Sequence, residues 1–328
     1  MRKINLVTGA NGHLGNNIVR ELLKNGEKVR ASVRNINNKK PFEGLNIDLV
    51  YADLLDKDSL RKVMKNVDTL YQVAAVFKHW SKNPEKEIIQ ANLDITRNIL
   101  EVAAEFKVRK IVYISSFAAI SHHNPPINES TWNTDFSNDY YKSKVVSEKL
   151  AWELAKKHGL DLVSVLPSAI IGPNNFDHLT TTMEFYHKVL NNNIPIDPNF
   201  SFNVVDVRDV AKGAILASEK GVSGERYVLA TPPTISTSKM FEIAKQVKPR
   251  VEIKKPIPKR LMLLMASTAE MISKLSGKEP LMMKNQVRLY YKADLRVDIS
   301  KAQKELGYDP RNPEQAIKET FEYLLERK

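Results

Sequence analysis

Short apolar runs alternate with amphipathic segments through the first half of the chain. Six runs have the length and the flanking turn residues of buried strands: residues 4–7, 28–33, 48–51, 69–74, 111–114 and 162–166. Between them, apolar residues recur at helical spacing in residues 14–24, 59–65, 85–106 and 140–158. Strands that alternate with helices are typical of βαβ units, so the pattern predicts an α/β fold with a doubly wound parallel sheet of the Rossmann type.

The alternation loosens after Pro167, and turn signals become frequent in residues 172–175, 194–198 and 231–233. Val204 and Val205, a helix over 207–218 and a strand over 226–229 indicate that the chain returns to the sheet. We therefore expect two parts. Residues 1–172 and 203–230 form the Rossmann domain, and residues 173–202 and 231–328 form a smaller C-terminal substrate-binding lobe.

Composition narrows the class of protein. The 328 residues include no cysteine, which excludes disulfides, thiolate metal sites and a thiol nucleophile, and fits a cytoplasmic location. We expect no metal centre. The net charge of +12 is spread along the chain without a basic block interleaved with aromatic residues, so we expect no nucleic-acid partner. The longest apolar window, residues 261–272, contains Glu270 and is shorter than the roughly 20 residues of a spanning helix.

A glycine-rich turn lies between the first predicted strand and the first predicted helix. Gly9, Gly12 and Gly15 are spaced three and three, and such a turn needs a tight bend, close backbone approach to a pyrophosphate and close helix packing. A glycine-rich turn without a ligand is the alternative. The position of the turn favours dinucleotide binding, by Gly9, Asn11, Gly12, His13, Leu14 and Gly15.

The second predicted strand indicates which dinucleotide binds. A site for NAD usually has an acidic residue about 20 residues after the loop, whereas this chain has Arg34, which lies 19 residues after Gly15. A guanidinium matches a 2′-phosphate in charge and in bidentate geometry, and Lys39 adds a second cation. The expected coenzyme is therefore NADP(H). Asp53, followed by Leu54, is placed to meet the adenine, although a turn or cap aspartate is the other reading.

Tyr140 and Lys144 are four residues apart and therefore share one face of a predicted helix. A cation beside a phenol favours the phenolate, which would move the tyrosine pKa toward neutral pH and suit proton transfer at a carbonyl oxygen. Ser115 and Ser116 close the fifth strand, where a hydroxyl can reach the substrate oxygen. Asn92, on the long helix, is either a buried polar residue or part of a proton relay.

Together these segments resemble the extended short-chain dehydrogenase/reductase superfamily, in the branch that is similar to dihydroflavonol reductases and hopanoid-associated epimerases. The resemblance covers residues 8–15, 29–34, 52–54, 73–75, Asn92 with 96–98, Ser115 and Ser116, 140–144 with Glu148, 166–168, 205–211 and 306–310. It implies a catalytic triad of Ser116, Tyr140 and Lys144, and a homodimer. It also implies cofactor contacts from Ala74, Ala75, Lys144, Pro167, Ala169 and Ile170.

Three departures from relatives in this superfamily favour a reductase. Its dehydratases carry an Asp-Glu pair after the catalytic hydroxyl, where this chain has Phe117 and Ala118. Some of its epimerases use a cysteine base, and this chain has no cysteine. Most of its sugar-nucleotide epimerases hold NAD through an acidic residue at the position where this chain has Arg34. We expect an NADPH-dependent reductase of an apolar or aromatic ketone or aldehyde with Tyr140 as proton donor. A sugar-nucleotide epimerase and a non-catalytic dinucleotide sensor remain as alternatives.

Aromatic residues and methionines suggest where such a substrate lies. Phe77, Trp80, Phe117 and Phe176 are the expected substrate contacts, and His79 would face the same crevice. Apolar stripes recur at 261–265, 271–272, 281–283 and 290–291. Three readings of these stripes stay open: protein core, an adaptable cover over the substrate, or a peripheral membrane-surface helix preceded by Lys254, Lys255, Lys259 and Arg260.

Overall fold

A seven-stranded parallel sheet forms the centre of the protein in the computed structural model, which describes residues 3–78, 80–174, 176, 179–278, 280 and 282–327. The strands, in chain order, are β1 (Ile4–Thr8), β2 (Lys28–Val33), β3 (Asp48–Tyr51), β4 (Val67–Gln72), β5 (Lys110–Ile114), β6 (Leu162–Pro167), β7 (Ala169–Ile171), β8 (Ser201–Asp206), β9 (Arg226–Leu229) and β10 (Thr231–Ser236). The central sheet has the order β3-β2-β1-β4-β5-β6-β9. The order reverses beside β1, where Val7 pairs with Ala31 of β2 and with Tyr71 of β4. The prediction of a doubly wound parallel sheet is confirmed.

Helices cover both faces of this sheet, as parallel strands require. They are α1 (His13–Lys24), α2 (Lys57–Met64), α3 (Ala91–Glu105), α4 (Asp139–His158), α5 (Thr181–Leu190), α6 (Val207–Lys220), α7 (Thr237–Val247), α8 (Lys259–Ser276), α9 (Lys284–Tyr290) and α10 (Pro313–Glu326). Helices α1 and α6 pack on one face, and α2, α3 and α4 pack on the other. A π-helical segment, Glu85–Gln90, leads directly into α3.

Side-chain caps set where α4 begins and ends. The Asn138 side chain accepts hydrogen bonds from the backbone N–H groups of Tyr140 and Tyr141, which satisfies two donors of the first turn. Gly159 ends the helix at φ 63°, a left-handed conformation that glycine adopts at little cost. The cap places Tyr140 in the first turn of α4, next to the carboxyl end of β5.

A second, three-stranded sheet of order β10-β8-β7 belongs to the smaller lobe, together with α5, α7 and α10. The expectation that Val204 and Val205 return to the main sheet is therefore wrong. Successive side chains of a strand face opposite sides. Val204 is buried in the core of the lobe, and Val205 is buried in the core of the main domain. Two adjacent valines carry no signal of which sheet they join.

Helices α8 and α9 form a separate layer, joined through Met262, Ala266 and Val287. Among the residues that the structure describes, no helix has both the length and the apolar character needed to cross a bilayer.

Candidate active site

The glycine-rich loop connects β1 to α1, and its glycines are needed for steric reasons. Gly9 has φ 60°, and a Cβ there would lie 3.0 Å from the Cβ of Ala74. A Cβ on Gly15 would lie 2.3 Å from the carbonyl oxygen of Gly9, so only glycine lets α1 approach the loop this closely. A Cβ on Gly12 would lie 3.2 Å from the same oxygen. The loop is thus a cradle that side chains would fill, which fits a pyrophosphate.

Thr8 joins this loop to the segment that follows β4. Its hydroxyl donates to the side-chain oxygen of Gln72 at 2.9 Å and accepts from the backbone N–H groups of Val73 (2.9 Å) and Ala74 (3.1 Å). These bonds hold together the carboxyl ends of β1 and β4, which is where the strand order reverses. Ligands of doubly wound sheets bind at this point.

The amino end of α1 has the features of an anion site. Gly12 is the N-cap and has no side-chain cap, and the first turn contains no acidic residue. The free N–H groups and the helix dipole therefore favour a negative charge there. His13 is buried and donates from Nε2 to the carbonyls of Gly172 and Pro173, both at 3.0 Å. Burial lowers the pKa of His13 to about 4, so the imidazole is neutral and attaches the loop to the chain after β7.

The other predicted coenzyme contacts lie at the same edge of the sheet. Arg34 follows β2, is exposed, and makes no hydrogen bond or ion pair with any residue that the structure describes; Lys39 is exposed nearby in sequence. Asp53 accepts from the N–H of Leu55 at 3.0 Å, which is a turn role, and its contact with the adenine stays a prediction. Leu54 is buried, and its carbonyl accepts from Asn98. Ala74 and Ala75 follow β4, Pro167 ends β6, and Ala169 and Ile170 lie in β7.

Tyr140, Ser116 and Lys144 come together beside this edge. The Tyr140 hydroxyl lies 3.4 Å from Ser116 Oγ, and the Lys144 ammonium lies 6.0 Å from the centroid of the Tyr140 ring. Burial lowers the pKa of Lys144 to about 8, with nearby Glu148 opposing the shift. The ammonium form therefore predominates at pH 7.

The expectation that Lys144 brings the pKa of Tyr140 toward neutrality does not hold for the protein alone. Burial raises the pKa of Tyr140 to about 12, although the hydrogen bond to Ser116 acts in the opposite direction. Desolvation penalises the phenolate more than the cation four residues away stabilises it. Tyr140 is therefore a protonated phenol at neutral pH, which is the state that a proton donor needs.

Ser115 and Ser116 have different partners. Ser115 is buried and donates to Glu148 at 2.7 Å, and Glu148 is paired with Arg226 at 2.9 Å. Ser116 is half-buried and lies next to Tyr140. The geometry thus favours Ser116 as the hydroxyl that faces a substrate. The Ser115–Glu148–Arg226 network lies beneath α4, and the sequence analysis missed it because its members are far apart in the chain.

The side-chain amide of Asn92 makes three hydrogen bonds that fix neighbouring backbone and side-chain positions. Its amide oxygen accepts from the Val76 N–H at 2.8 Å, and its amide nitrogen donates to the Val76 carbonyl at 3.0 Å and to Ser143 Oγ at 2.9 Å. The side chain joins α3, the segment after β4 and α4. These bonds give Asn92 a positioning role, and its part in a proton relay stays a prediction.

Apolar and aromatic groups pack around the rings of Tyr140 and Tyr141. The exposed ring of Phe77 meets the Tyr140 ring edge-on, with centroids 5.0 Å apart. Phe117 stacks on His122 at 5.0 Å, and His122 meets the edge of Tyr141. Leu289 of α9 packs against Tyr140 and Tyr141. His122 and Leu289 were not predicted, because loop and helix reach the site only through the tertiary fold.

Tyr141 connects α4 to the smaller lobe. Its hydroxyl shares a hydrogen bond with the Tyr290 hydroxyl of α9, and burial raises its pKa well above the usual value. Tyr290 packs on Phe202 at 5.1 Å and on Phe200 at 6.0 Å. Tyr141 therefore has a structural partner of its own, and Tyr140 is the tyrosine next to Ser116.

One predicted substrate residue, Phe176, has another position. The ring of Phe176 lies 5.2 Å from the Arg20 guanidinium of α1, and its carbonyl accepts from Arg327, so none of these contacts is with the Tyr140 cluster. Trp80 is half-buried three residues after Phe77. His79 and Leu281 lie outside the described residues. No group of His, Asp and Glu side chains in the described part of the chain is arranged to hold a metal.

A glycine cradle at the switch point of a doubly wound sheet, facing a Ser, Tyr and Lys cluster, defines a dinucleotide-dependent oxidoreductase. The model of the NAD dependent epimerase/dehydratase family matches residues 5–230. The chain belongs to this family, and it is an NAD(P)-dependent oxidoreductase of the extended short-chain dehydrogenase/reductase type.

Full-length relatives agree with this assignment. Sterol demethylase protein B of Methylococcus capsulatus is 31% identical, over 98% of this chain and 98% of its own. A putative dihydroflavonol 4-reductase of Synechocystis is 31% identical, over 97% of this chain and 93% of its own. The crystal structure of gox2253 superposes with a TM-score of 0.85 at 29% identity, over 99% of this chain and 98% of that one.

Proposed function

We propose that the protein is an NADPH-dependent reductase of apolar or aromatic ketones or aldehydes. The observation that carries this proposal is the Tyr140 hydroxyl, which is protonated at neutral pH and bonded to Ser116, on a ring that packs against Phe77. A carbonyl reductase needs a proton donor at the carbonyl oxygen and a dry surface for the rest of the substrate.

Each residue has a defined task in this reaction. When bound, the coenzyme supplies the hydride that the carbonyl carbon accepts. Ser116 Oγ donates a hydrogen bond to the carbonyl oxygen, and Tyr140 transfers its proton to the same oxygen, which gives the alcohol. The Lys144 ammonium stabilises the tyrosinate that is left until solvent returns a proton. The high pKa that burial imposes on Tyr140 keeps the donor protonated before each turnover.

The preference for NADPH is proposed on the position of Arg34. Its guanidinium is exposed after β2 and pairs with none of the described acids, so it is available to a 2′-phosphate. Charge-assisted hydrogen bonds are worth roughly 1.5–3 kcal/mol, so Arg34→Ala should weaken NADPH binding about 10- to 100-fold and leave NADH binding nearly unchanged. Fluorescence titration of both coenzymes measures this. Arg34→Lys should be intermediate, and Lys65→Ala, also exposed, should match the wild type. Equal affinity of the wild type for NADPH and NADH would refute the preference.

The apolar nature of the substrate is supported by the pairing of nearby cations. A nucleotide sugar brings a second diphosphate that needs its own cations. Three basic residues of α8 and α9 are candidates: Arg260, Lys284 and Arg288. Lys284 is paired with Glu270 at 3.1 Å, and Arg260 lies on the exposed side of α8, which leaves Arg288. The names of two full-length relatives refer to ring compounds, a sterol and a dihydroflavonol. Both observations favour a reductase over a sugar-nucleotide epimerase.

Calorimetry on the NADP⁺-loaded protein distinguishes the two reactions. We expect small aryl ketones to bind and UDP to show no heat, because burial of an aromatic ring yields about 25 cal/mol per Å² of apolar surface. NADPH absorbance should fall in proportion to the ketone reduced. UDP binding without ketone binding, and no net NADPH consumption, would replace the reductase by the epimerase.

A further inference from the structure

Helix α8 is apolar on two opposite sides. Met262, Ala266 and Ser273 face inward and are buried, and Met262 and Ala266 pack against Val287 of α9. Away from this buried side, six large side chains are exposed: Leu261, Leu264, Met265, Met271, Ile272 and Leu275, with Leu275 83% exposed. An exposed stripe along 15 residues of one helix is far from the scattered single apolar residues of ordinary surfaces. We propose that α8 docks the protein on the surface of an anionic lipid bilayer.

The polar groups within the stripe do not oppose burial in lipid. Thr268 lies within the stripe, between Leu264 and Met271, and its hydroxyl donates to the backbone carbonyls of Leu264 (2.8 Å) and Met265 (3.0 Å) of its own helix. Its hydrogen-bonding capacity as a donor is therefore met without water. Thr268 can therefore enter the interface between lipid headgroups and acyl chains without leaving its hydroxyl donor unpaired.

Charge selects the partner. Arg260 and Lys274 flank the exposed stripe, and Lys259 begins the helix. The sole acid of α8, Glu270, lies toward the inner side and is bound by Lys284. Gly277 follows the last residue of α8. The Lys82 ammonium lies 3.4 Å from the place that a Cβ on Gly277 would take, so it adds a cation at the end of the helix. An apolar stripe with basic flanks fits the anionic surface of a membrane.

The same charges disfavour a second copy of the chain as the occupant. Leu261, Leu264, Thr268, Met271 and Leu275 have the spacing of a coiled-coil seam. In a parallel pair of α8 helices each flanking cation would meet its own copy, and in an antiparallel pair Arg260 would meet Lys274. Like charges beside such a seam are destabilising, and no acidic residue of α8 lies on this side to compensate.

The docking surface is close to the candidate active site through α9. Val287 packs on the inner side of α8, and Tyr290, one turn later, shares a hydrogen bond with Tyr141. The surface of α8 that would contact a bilayer therefore belongs to the same lobe that borders the Tyr140 cluster. The docking proposal itself rests on α8 alone and holds whether or not the protein reduces ketones.

Vesicle sedimentation with the full chain tests the proposal. We expect the protein to sediment with vesicles of phosphatidylcholine containing about 30% phosphatidylglycerol, to stay in solution with pure phosphatidylcholine, and to be released by salt. Leu264→Ser with Leu275→Ser, and separately Arg260→Gln with Lys274→Gln, should each lower the partition coefficient at least about tenfold. Val222→Ser, and Lys65→Gln with Lys212→Gln, change exposed residues elsewhere and should bind like the wild type.

A second readout leaves the stripe nearly intact. Because the chain has no cysteine, Thr268→Cys gives a single attachment point for a polarity-sensitive dye, and its emission should shift to the blue with anionic vesicles. A dye at Lys212→Cys, on α6, should not shift. The proposal would be overturned if the protein neither sedimented with anionic vesicles nor shifted the dye emission. It would also be overturned if the control variants lost as much vesicle binding as the α8 variants. A third contrary result is a dimer that depends on Leu264 and Leu275 in a protein that does not bind vesicles.

Discussion

Tyr140→Phe is expected to lower turnover about 10²- to 10⁴-fold, the usual contribution of a positioned acid. The substitution removes only the hydroxyl that lies 3.4 Å from Ser116, and it keeps the ring that packs edge-on against Phe77. Coenzyme affinity should therefore stay close to that of the wild type. Steady-state kinetics with NADPH and an aryl ketone, together with a coenzyme titration, measure the two quantities separately.

Tyr141→Phe is the matched control for this prediction. It removes a hydroxyl from the neighbouring residue, but that hydroxyl is bonded to Tyr290 in the smaller lobe. We expect a small loss of stability, about 1 kcal/mol, and turnover within a few-fold of the wild type. Lys144→Ala should lower both turnover and coenzyme affinity, since the family resemblance also implies that this lysine contacts the cofactor. Full activity of Tyr140→Phe, with loss in Tyr141→Phe, would move the acid to Tyr141.

Glu148→Gln should destabilise the fold by about 3 kcal/mol. Glu148 is fully buried, pairs with Arg226 at 2.9 Å and accepts from Ser115 at 2.7 Å. Neutralising one member of a buried pair leaves the other charge in a medium that solvates it poorly, which typically costs 3–5 kcal/mol. Arg226 keeps its bonds to the carbonyls of Glu129 and Thr131, so we expect the lower end of that range. Urea denaturation of the coenzyme-free protein measures the change.

Glu153→Gln makes the same chemical change at an exposed position of the same helix, and it should alter stability by less than about 0.5 kcal/mol. Arg226→Met combined with Glu148→Leu removes both charges, and it should be more stable than Glu148→Gln alone. If Glu148→Gln matched Glu153→Gln in stability, the buried pair would have no net role in holding α4 on the sheet.

Local features were predictable from the sequence because they depend on neighbours in the chain. The pattern of apolar residues predicts all six strands of the first half, because strands covered by helices on both faces are rich in apolar residues. The three glycines at Gly9, Gly12 and Gly15 predict the close approach of α1 to β1, which leaves no room for a side chain. Tyr140 and Lys144 share a helix face because of the α-helical period alone.

Other features depend on contacts between distant segments, and only the tertiary structure decides them. The pKa of Tyr140 rises because α9 and the segment after β4 exclude water from it, which no spacing to Lys144 reveals. Ser115 differs from Ser116 only because Glu148 and Arg226 meet beneath it.

The same reason applies to the smaller lobe. Val204 and Val205 lie in the second sheet, where each faces a different core. The ring of Phe176 lies over Arg20 and not at the Tyr140 cluster. In the sequence the apolar residues of α8 form two runs, 261–265 and 271–272, and packing against α9 divides them into a buried side and an exposed side. Periodicity tells which residues share a face of an element, but the partner of that face is set by the rest of the fold.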